Sequence, residues 1–232
     1  MILITGAARS GTSLIAGIID ICGGFGGEMF GPSKYNRKGM YENTYIRERI
    51  IKAYISEMNV DARCQYPLPD ISKVAIVPDF NKKIEDIFYR QGWDGTQALF
   101  YKCPKISHIW KLWKHAFPCA KWVIVRRRTE DIVNSCIRTG FMNAFDNKNI
   151  QKEINVKSTK QGWTWWVNEH QKRFLEIKNS DCNSIEIWPE KMVEGNYTEI
   201  ENLINWLGLE WKEEEVKKFI EPKLFSHKKK GK

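Results

Sequence analysis

Apolar and polar positions follow two different spacings along this chain, and their order predicts its elements. Ile2-Leu3-Ile4 is a short apolar run that opens into Thr5-Gly6-Ala7-Ala8-Arg9-Ser10-Gly11-Thr12-Ser13, after which apolar residues return from Leu14. The run predicts a core strand, the small residues a loop, and the rest a helix over about Ser13–Ile21 that stops at the glycine-rich turn 22–27. A polar, basic, loop-like stretch covers 30–43. Ile46, Ile50, Ile51, Tyr54 and Ile55 then share one helical face up to about Met58, with Asn43 or Thr44 as the cap. The region 59–97 is less decided by its pattern: Lys73-Val-Ala-Ile-Val-Pro-Asp79 holds a short apolar run, and a helix fits about Asn81–Gln91.

Gln97–Lys102 reads as a second strand, and Pro104 opens a helix with Ile109, Trp110, Trp113 and Phe117 at core spacing. A third strand covers Trp122–Val125, followed by a helix from Thr129 to Arg138. Further helices fit about 162–178, Tyr197–Leu207 and Lys212–Ile220, with a late strand at Ser184–Ile187. Residues 140–160 are polar and carry no period, which predicts a mobile loop or lid. Strands alternating with helices, and no internal repeat, predict one α/β domain over 1–232 with a central parallel sheet covered on both faces.

Composition narrows the chemistry only partly. A chain of 232 residues is long enough for one sizeable core. Its 37 basic against 28 acidic residues give a net charge of +9, which suits an anionic ligand or a nucleic acid. Ten tryptophans suggest aromatic walls around a ligand. The six cysteines make no C-x-x-C pair and the four histidines no ligand-spaced cluster, so the expectation is buried thiols and no metal. No apolar run approaches membrane-spanning length, and a cytoplasmic protein without a membrane partner is expected.

The first loop carries the sharpest signal. A strand, a glycine loop and a helix start present successive backbone N–H groups and the positive end of a helix dipole, a cradle for an anion. Gly6 and Gly11 keep the spacing of a Walker A loop, G-x-x-x-x-G-K-[ST], but Thr12 stands where that loop has lysine, and the cation is Arg9 inside the loop. A second constellation follows the third strand: Arg126-Arg127-Arg128, with Ser135 two helical turns on. Both lie at carboxyl ends of strands, on one edge of a parallel sheet. Guanidinium pairs phosphate oxygens bidentately, so Arg127 and Ser135 together can hold a phosphate.

These residues resemble the sulfotransferases that use 3′-phosphoadenosine 5′-phosphosulfate (PAPS), whose bacterial and carbohydrate-type members carry R-S-G-T-[ST] where this chain has Arg9–Ser13. The Arg127 and Ser135 spacing is similar to the motif that holds the 3′-phosphate in that family. Weaker matches are Lys102-Cys103-Pro104 (K-x-P), Gly39-Met-Tyr-Glu42 (G-Y-F-E) and Phe219-Ile-Glu-Pro-Lys-Leu224 (F-I-D-P-x-L). The resemblance implies a P-loop-NTPase-like fold, PAPS as sulfuryl donor, the desulfated product PAP, and no metal. It implies that Ala8, Arg9, Ser10, Gly11, Thr12 and Ser13 hold the 5′-phosphosulfate, Arg127 and Ser135 the 3′-phosphate, and Trp188 the adenine. Arg9 and Lys102 would stabilise the transferring group. Glu42 would be the base, with His108 as its competitor. The segments 30–41 and 140–160, with Lys34, Tyr35, Arg37, Phe141 and Phe145, would shape the pocket for a small-molecule or glycan acceptor. The lysine tail, 226–232, would wrap the 3′-phosphate or remain a charged tail. Animal carbohydrate members usually carry a membrane anchor, so the chain looks like a microbial or viral-type relative. Two other readings stay open. A P-loop kinase or NTPase would use Val74–Asp79 as its metal-holding strand. A basic nucleic-acid-binding module would explain the charge but not the order of strand, cradle and helix.

Overall fold

The computed structural model describes residues 1–225. Strands β1 (Ile2–Thr5), β2 (Phe100–Lys102), β3 (Lys121–Val125) and β4 (Asn183–Ile187) make one parallel sheet in the order β2-β1-β3-β4. Ile4 pairs with Lys102 on one side and Val123 on the other. The chain therefore leaves β1 toward one edge and returns on the other side of it. That reversal opens a crevice beyond the carboxyl ends of β1 and β3, where sheets of this kind bind ligands.

Period-two alternation along the strands divides the core into two faces. Leu3, Tyr101, Trp122 and Ile124 meet a helical segment at Ile46–Ile51, α2 (Lys52–Glu57), α3 (Phe80–Arg90), α4 (Trp110–Ala116) and the C-terminal half of α7 (Thr159–Asn179). Ile2, Ile4, Val123 and Val125 meet α1 (Thr12–Ile21), α9 (Thr198–Leu207) and α10 (Glu213–Phe219). Burial of these side chains, at about 25 cal/mol per Å² of apolar surface, drives the packing. A third cluster joins Ala7 to α5 (Thr129–Arg138) and the first half of α7, through Ile132, Phe145, Trp163 and Trp166. The expected single α/β domain with a parallel sheet flanked by helices is what forms. Among the described residues, no helix is long and apolar enough to cross a membrane.

Several expected elements differ. The helix after Asn43 passes into a π-helical stretch at Ile46–Ile51, and Asn43 Oδ1 caps its start by accepting from the Ile46 amide at 3.1 Å. Pro104 opens a 3₁₀ turn, Pro104–Ile109, before α4 begins. Val74–Asp79 is no strand but an irregular stretch with Ile76 exposed, so no metal-holding strand stands there. Pro78 closes the run and donates no amide to a ladder. Residues 140–160, expected as a loop, contain a 3₁₀ turn at Ala144–Asp146 and helix α6 (Lys148–Glu153). Fully buried Phe145 pins this stretch edge-on to Trp163 at 4.7 Å between centroids. Phe141, Met142, Phe145 and Ile150 join this cluster, but the polar residues between them break any sustained period. The tail 226–232 lies outside the described residues. A short helix, α8 (Pro189–Val193), follows β4.

Candidate active site

The loop between β1 and α1 is shaped by what its residues cannot tolerate. A Cβ on Gly6 would sit 2.6 Å from the Val125 carbonyl oxygen, so only glycine lets the loop close against the end of β3. Gly11 has φ of 102° and would also press a Cβ to 3.2 Å from Pro189. Arg9 adopts φ of 75°, a conformation that costs about 1–3 kcal/mol in a residue other than glycine and persists only where its surroundings impose it. They do so with three bonds. Arg127 Nη1 donates to the Arg9 carbonyl at 2.8 Å, Arg9 Nε donates to Ser135 Oγ at 3.0 Å, and Arg9 Nη1 donates to the Tyr35 carbonyl at 3.3 Å. Burial lowers the pKa of both arginines from their ordinary value.

No side chain caps the N-terminus of α1, and the buried Ser10 hydroxyl has no hydrogen-bond partner among the described residues. An open helix start beside a buried unpaired hydroxyl and two arginines has the chemistry of a phosphate or sulfate cradle. A cavity of about 290 Å³ lies over it, lined by Arg9, Thr12, Ser13, Arg37, Arg127 and Phe225 among others.

A second cavity, of about 260 Å³, lies beyond Tyr35, which lines both; its walls include Ala8, Glu42, Gln65, Lys105 and His170. Glu42 is 6% exposed and holds two cations, Lys102 Nζ at 2.9 Å on Oε1 and Arg47 Nε at 2.7 Å from Oε2. Burial alone would push this carboxyl up. Lys102, Lys105 and Arg47 together outweigh it and hold the carboxyl at about 2. Arg47 sits in the π-helical stretch and also pairs with Glu48, which Lys52 holds from the next turn at 2.6 Å. Tyr41, with φ of 53°, turns the chain just before Glu42.

Behind this cavity His108 and His170 meet Nε2 to Nε2 at 3.1 Å. His170 Nδ1 lies 3.0 Å from the Trp166 carbonyl and so carries the proton there. His170 Nε2 is then the acceptor and His108 Nε2–H the donor. Burial holds His170 down at about 4 and His108 well below its ordinary value. Both rings are neutral.

The expected residues distribute unevenly between these places. Arg9, Gly11, Thr12, Ser13 and Arg127 line the first cavity, and Ala8 and Glu42 the second. Lys102 lines neither, being committed to Glu42. Ser135 lines neither and binds Arg9 rather than Arg127. Trp188 is 40% exposed beside Arg126, whose guanidinium carbon is 5.7 Å from its ring centre, and it also lines neither. Lys34 and Arg37, expected against the acceptor, line the first cavity, while Phe141 lines the second and Phe145 belongs to the core. Of the tryptophans, Trp166 lines a cavity, whereas Trp113, Trp122 and Trp163 fill the core. The pattern gave no hint of Lys105, Gln65, Arg47 or His170. They reach one cavity from separate elements, and only the K-x-P-K run could have drawn attention to Lys105.

The family model described as "Sulfotransferase family" matches residues 2–213. The chain belongs to the sulfotransferase family. No curated protein sequence matches this family member. Solved structures with a similar fold include two sulfotransferase domains. One is a sulfotransferase domain from the curacin biosynthetic pathway, with TM-score 0.53 and 15% identity over 96% of this chain and 77% of that one. The other is a sulfotransferase domain from the Synechococcus PCC 7002 olefin synthase, with TM-score 0.54 and 13% identity over 98% of this chain and 82% of that one. In this family member the glycine loop and the buried Glu42–Lys102 pair therefore sit on a sulfotransferase fold.

Proposed function

We propose that this sulfotransferase moves the sulfuryl group of PAPS to an acceptor hydroxyl in one in-line step, releasing PAP. The acceptor oxygen–sulfur bond forms as the bond from sulfur to the 5′-phosphate oxygen breaks, and the hydroxyl proton passes to Glu42. The observation that carries this reading is the pair of adjacent cavities. Arg9 and the open helix start face one, Ala8 and the Glu42 carboxylate the other, and Tyr35 lines both.

The donor fits the residues present. Loop amides of Gly11, Thr12 and Ser13, with the Ser10 hydroxyl and Arg9, suit a 5′-phosphosulfate. Arg127 suits the 3′-phosphate, Ser135 supports the 5′ side by anchoring Arg9, and Trp188, outside the cavity that Phe225 lines, would have to turn toward the adenine to stack on it. A sulfuryl group in transit carries less charge than a phosphoryl group, so fixed cations and amides can serve where kinases use Mg²⁺. Each well-placed donor contributes about 2.7–4 kcal/mol to such a transition state.

At about 2, Glu42 is a weak base while Lys102 and Arg47 hold it. Lys102 stands on β2 beside β1, at the sheet edge where the donor's bridging oxygen would lie. Drawing its ammonium toward that oxygen frees Glu42 Oε1 for the acceptor proton and raises the carboxyl. His108 is less suited to the role, since its Nε2–H is spent on His170 and its ring lines neither cavity. The acceptor would be a small molecule or a glycan. Calorimetry with PAP in the absence of divalent metal tests the donor half: binding at least about tenfold tighter than 5′-AMP is expected of a site with a 3′-phosphate pocket. Equal affinity for the two removes that pocket.

A further inference from the structure

Lys105 is the odd residue of the second cavity. It is 7% exposed, and its only hydrogen bond among the described residues is to the Cys103 sulfur at 3.8 Å. A thiol is a weak acceptor; Glu42 favours the ammonium through space, but the remaining N–H groups of Lys105 have no oxygen partner among the described residues. The surrounding groups are already committed. Glu42 Oε1 accepts from Lys102, and Oε2 lies 2.7 Å from Arg47 Nε as an ion pair without hydrogen-bond alignment, while Arg47 also pairs with Glu48. Gln65 donates to the Phe141 carbonyl at 3.0 Å and accepts the Asn143 and Ala144 amides at 3.1 and 3.2 Å, which fixes that wall and leaves no group for Lys105. His170, bonded at both nitrogens, is neutral. The cavity thus holds more positive charge than Glu42 offsets, with one ammonium short of oxygen partners. The remaining wall, from Tyr35, Met40, Phe141 and Trp166, is apolar and aromatic.

We infer that Lys105 forms an oxyanion subsite in this cavity, so that the acceptor carries a carboxylate, phosphate or sulfate group in addition to the hydroxyl that is sulfated. The inference rests on the reading of this cavity as the acceptor's. An ammonium satisfied by the ligand's own charge explains why it is kept where apolar packing would be cheaper. A ring or short chain against Phe141 and Trp166 would carry both groups.

The test uses the full chain saturated with PAP and calorimetry on matched pairs. These are para-hydroxybenzoate against para-hydroxybenzamide, para-hydroxyphenyl phosphate against its dimethyl phosphate ester, and para-hydroxybenzenesulfonate against its sulfonamide. The anion of at least one pair should bind about tenfold or more tightly than its neutral counterpart, as a charge-assisted bond requires, and the pair that does so identifies the oxyanion. Lys105→Gln should abolish the preference and Lys105→Arg should retain it, with PAP affinity unchanged in both. No anion preference in any pair overturns the inference without any variant being needed, and a preference that survives Lys105→Gln overturns it too. Repeating the titrations without PAP separates the two readings. A chain that ignores PAP yet shows a Lys105-dependent preference sinks the donor reading and keeps the subsite.

Discussion

Arg9 Nε donates to Ser135 Oγ at 3.0 Å, although 126 residues separate them in sequence. The eight-residue spacing from Arg127 to Ser135 suggests that the two grip one phosphate. In the fold Arg127 also holds the Arg9 carbonyl and Ser135 the Arg9 guanidinium, so both ends of the candidate donor site act on one strained residue. A change at Ser135 should therefore be felt across the glycine loop.

Ser135→Ala should weaken PAP and 5′-AMP together, because Arg9 loses its anchor in either complex. Arg127→Ala should weaken PAP more than 5′-AMP. Calorimetry on both ligands checks this pair of outcomes. In the wild type, PAP at a hundredfold over its dissociation constant should raise stability by about 2.7 kcal/mol without metal. A PAP-specific loss in Ser135→Ala would return that hydroxyl to the 3′-phosphate.

Replacing Glu42 with Gln should leave PAP binding within about twofold and cut turnover at least about a hundredfold, the usual contribution of a positioned base. Single-turnover sulfation of an accepted substrate reads the second effect. If turnover survives Glu42→Gln but collapses in His108→Ala, the base is the histidine.

Acid stability should fall in two separate windows. The histidine pair stays neutral in the fold, so only the unfolded chain gains protons as pH drops below the ordinary imidazole value of 6.5, and stability declines until His170 itself titrates at about 4. Glu42 has the opposite sign of charge: its stabilisation is present above the ordinary 4.5 and disappears as pH falls through about 2. Urea midpoints measured from pH 7.5 down to 5 should decline in the wild type and flatten in a His108→Gln, His170→Gln double variant. A slope unchanged by that double variant would remove the histidines as its cause.

Gly6→Ala should be the most damaging single methyl in the loop. Its Cβ would meet a backbone carbonyl of β3, so β1 and β3 must part, whereas the Cβ of Gly11 meets Phe225 and Pro189 side chains that can shift. Overpacking of this sort costs about 1–3 kcal/mol. Thermal melting should place Gly6→Ala below Gly11→Ala, while Gly11→Ala should lose more PAP affinity relative to its stability. The reverse order of melting would show that the φ of Gly11 outweighs the clash at Gly6.

The sequence by itself determined the elements whose information is local. Ile2–Ile4 and Trp122–Val125 could only be core strands, and Gly6 with Gly11 could only be a loop before a helix, because period and backbone freedom are properties of neighbouring residues. Arg9, Arg127 and the loop hydroxyls were legible for the same reason: they lie within a few residues of a strand's carboxyl end, where parallel sheets bind ligands. The sequence could also place Glu42 and Lys102 at element boundaries, but not against each other. Their pairing at 2.9 Å spans 60 residues and depends on how a π-helical segment and β2 pack, which no periodicity encodes. The same holds for Phe145, which turns a stretch with no sustained period into part of the core, and for Lys105, whose shortage of oxygen partners shows only once Lys102 and Arg47 are packed against Glu42. Local pattern fixes the backbone's course. Which buried charges must share a partner is settled only when distant segments are packed together, because desolvation and Coulomb attraction depend on distance in space.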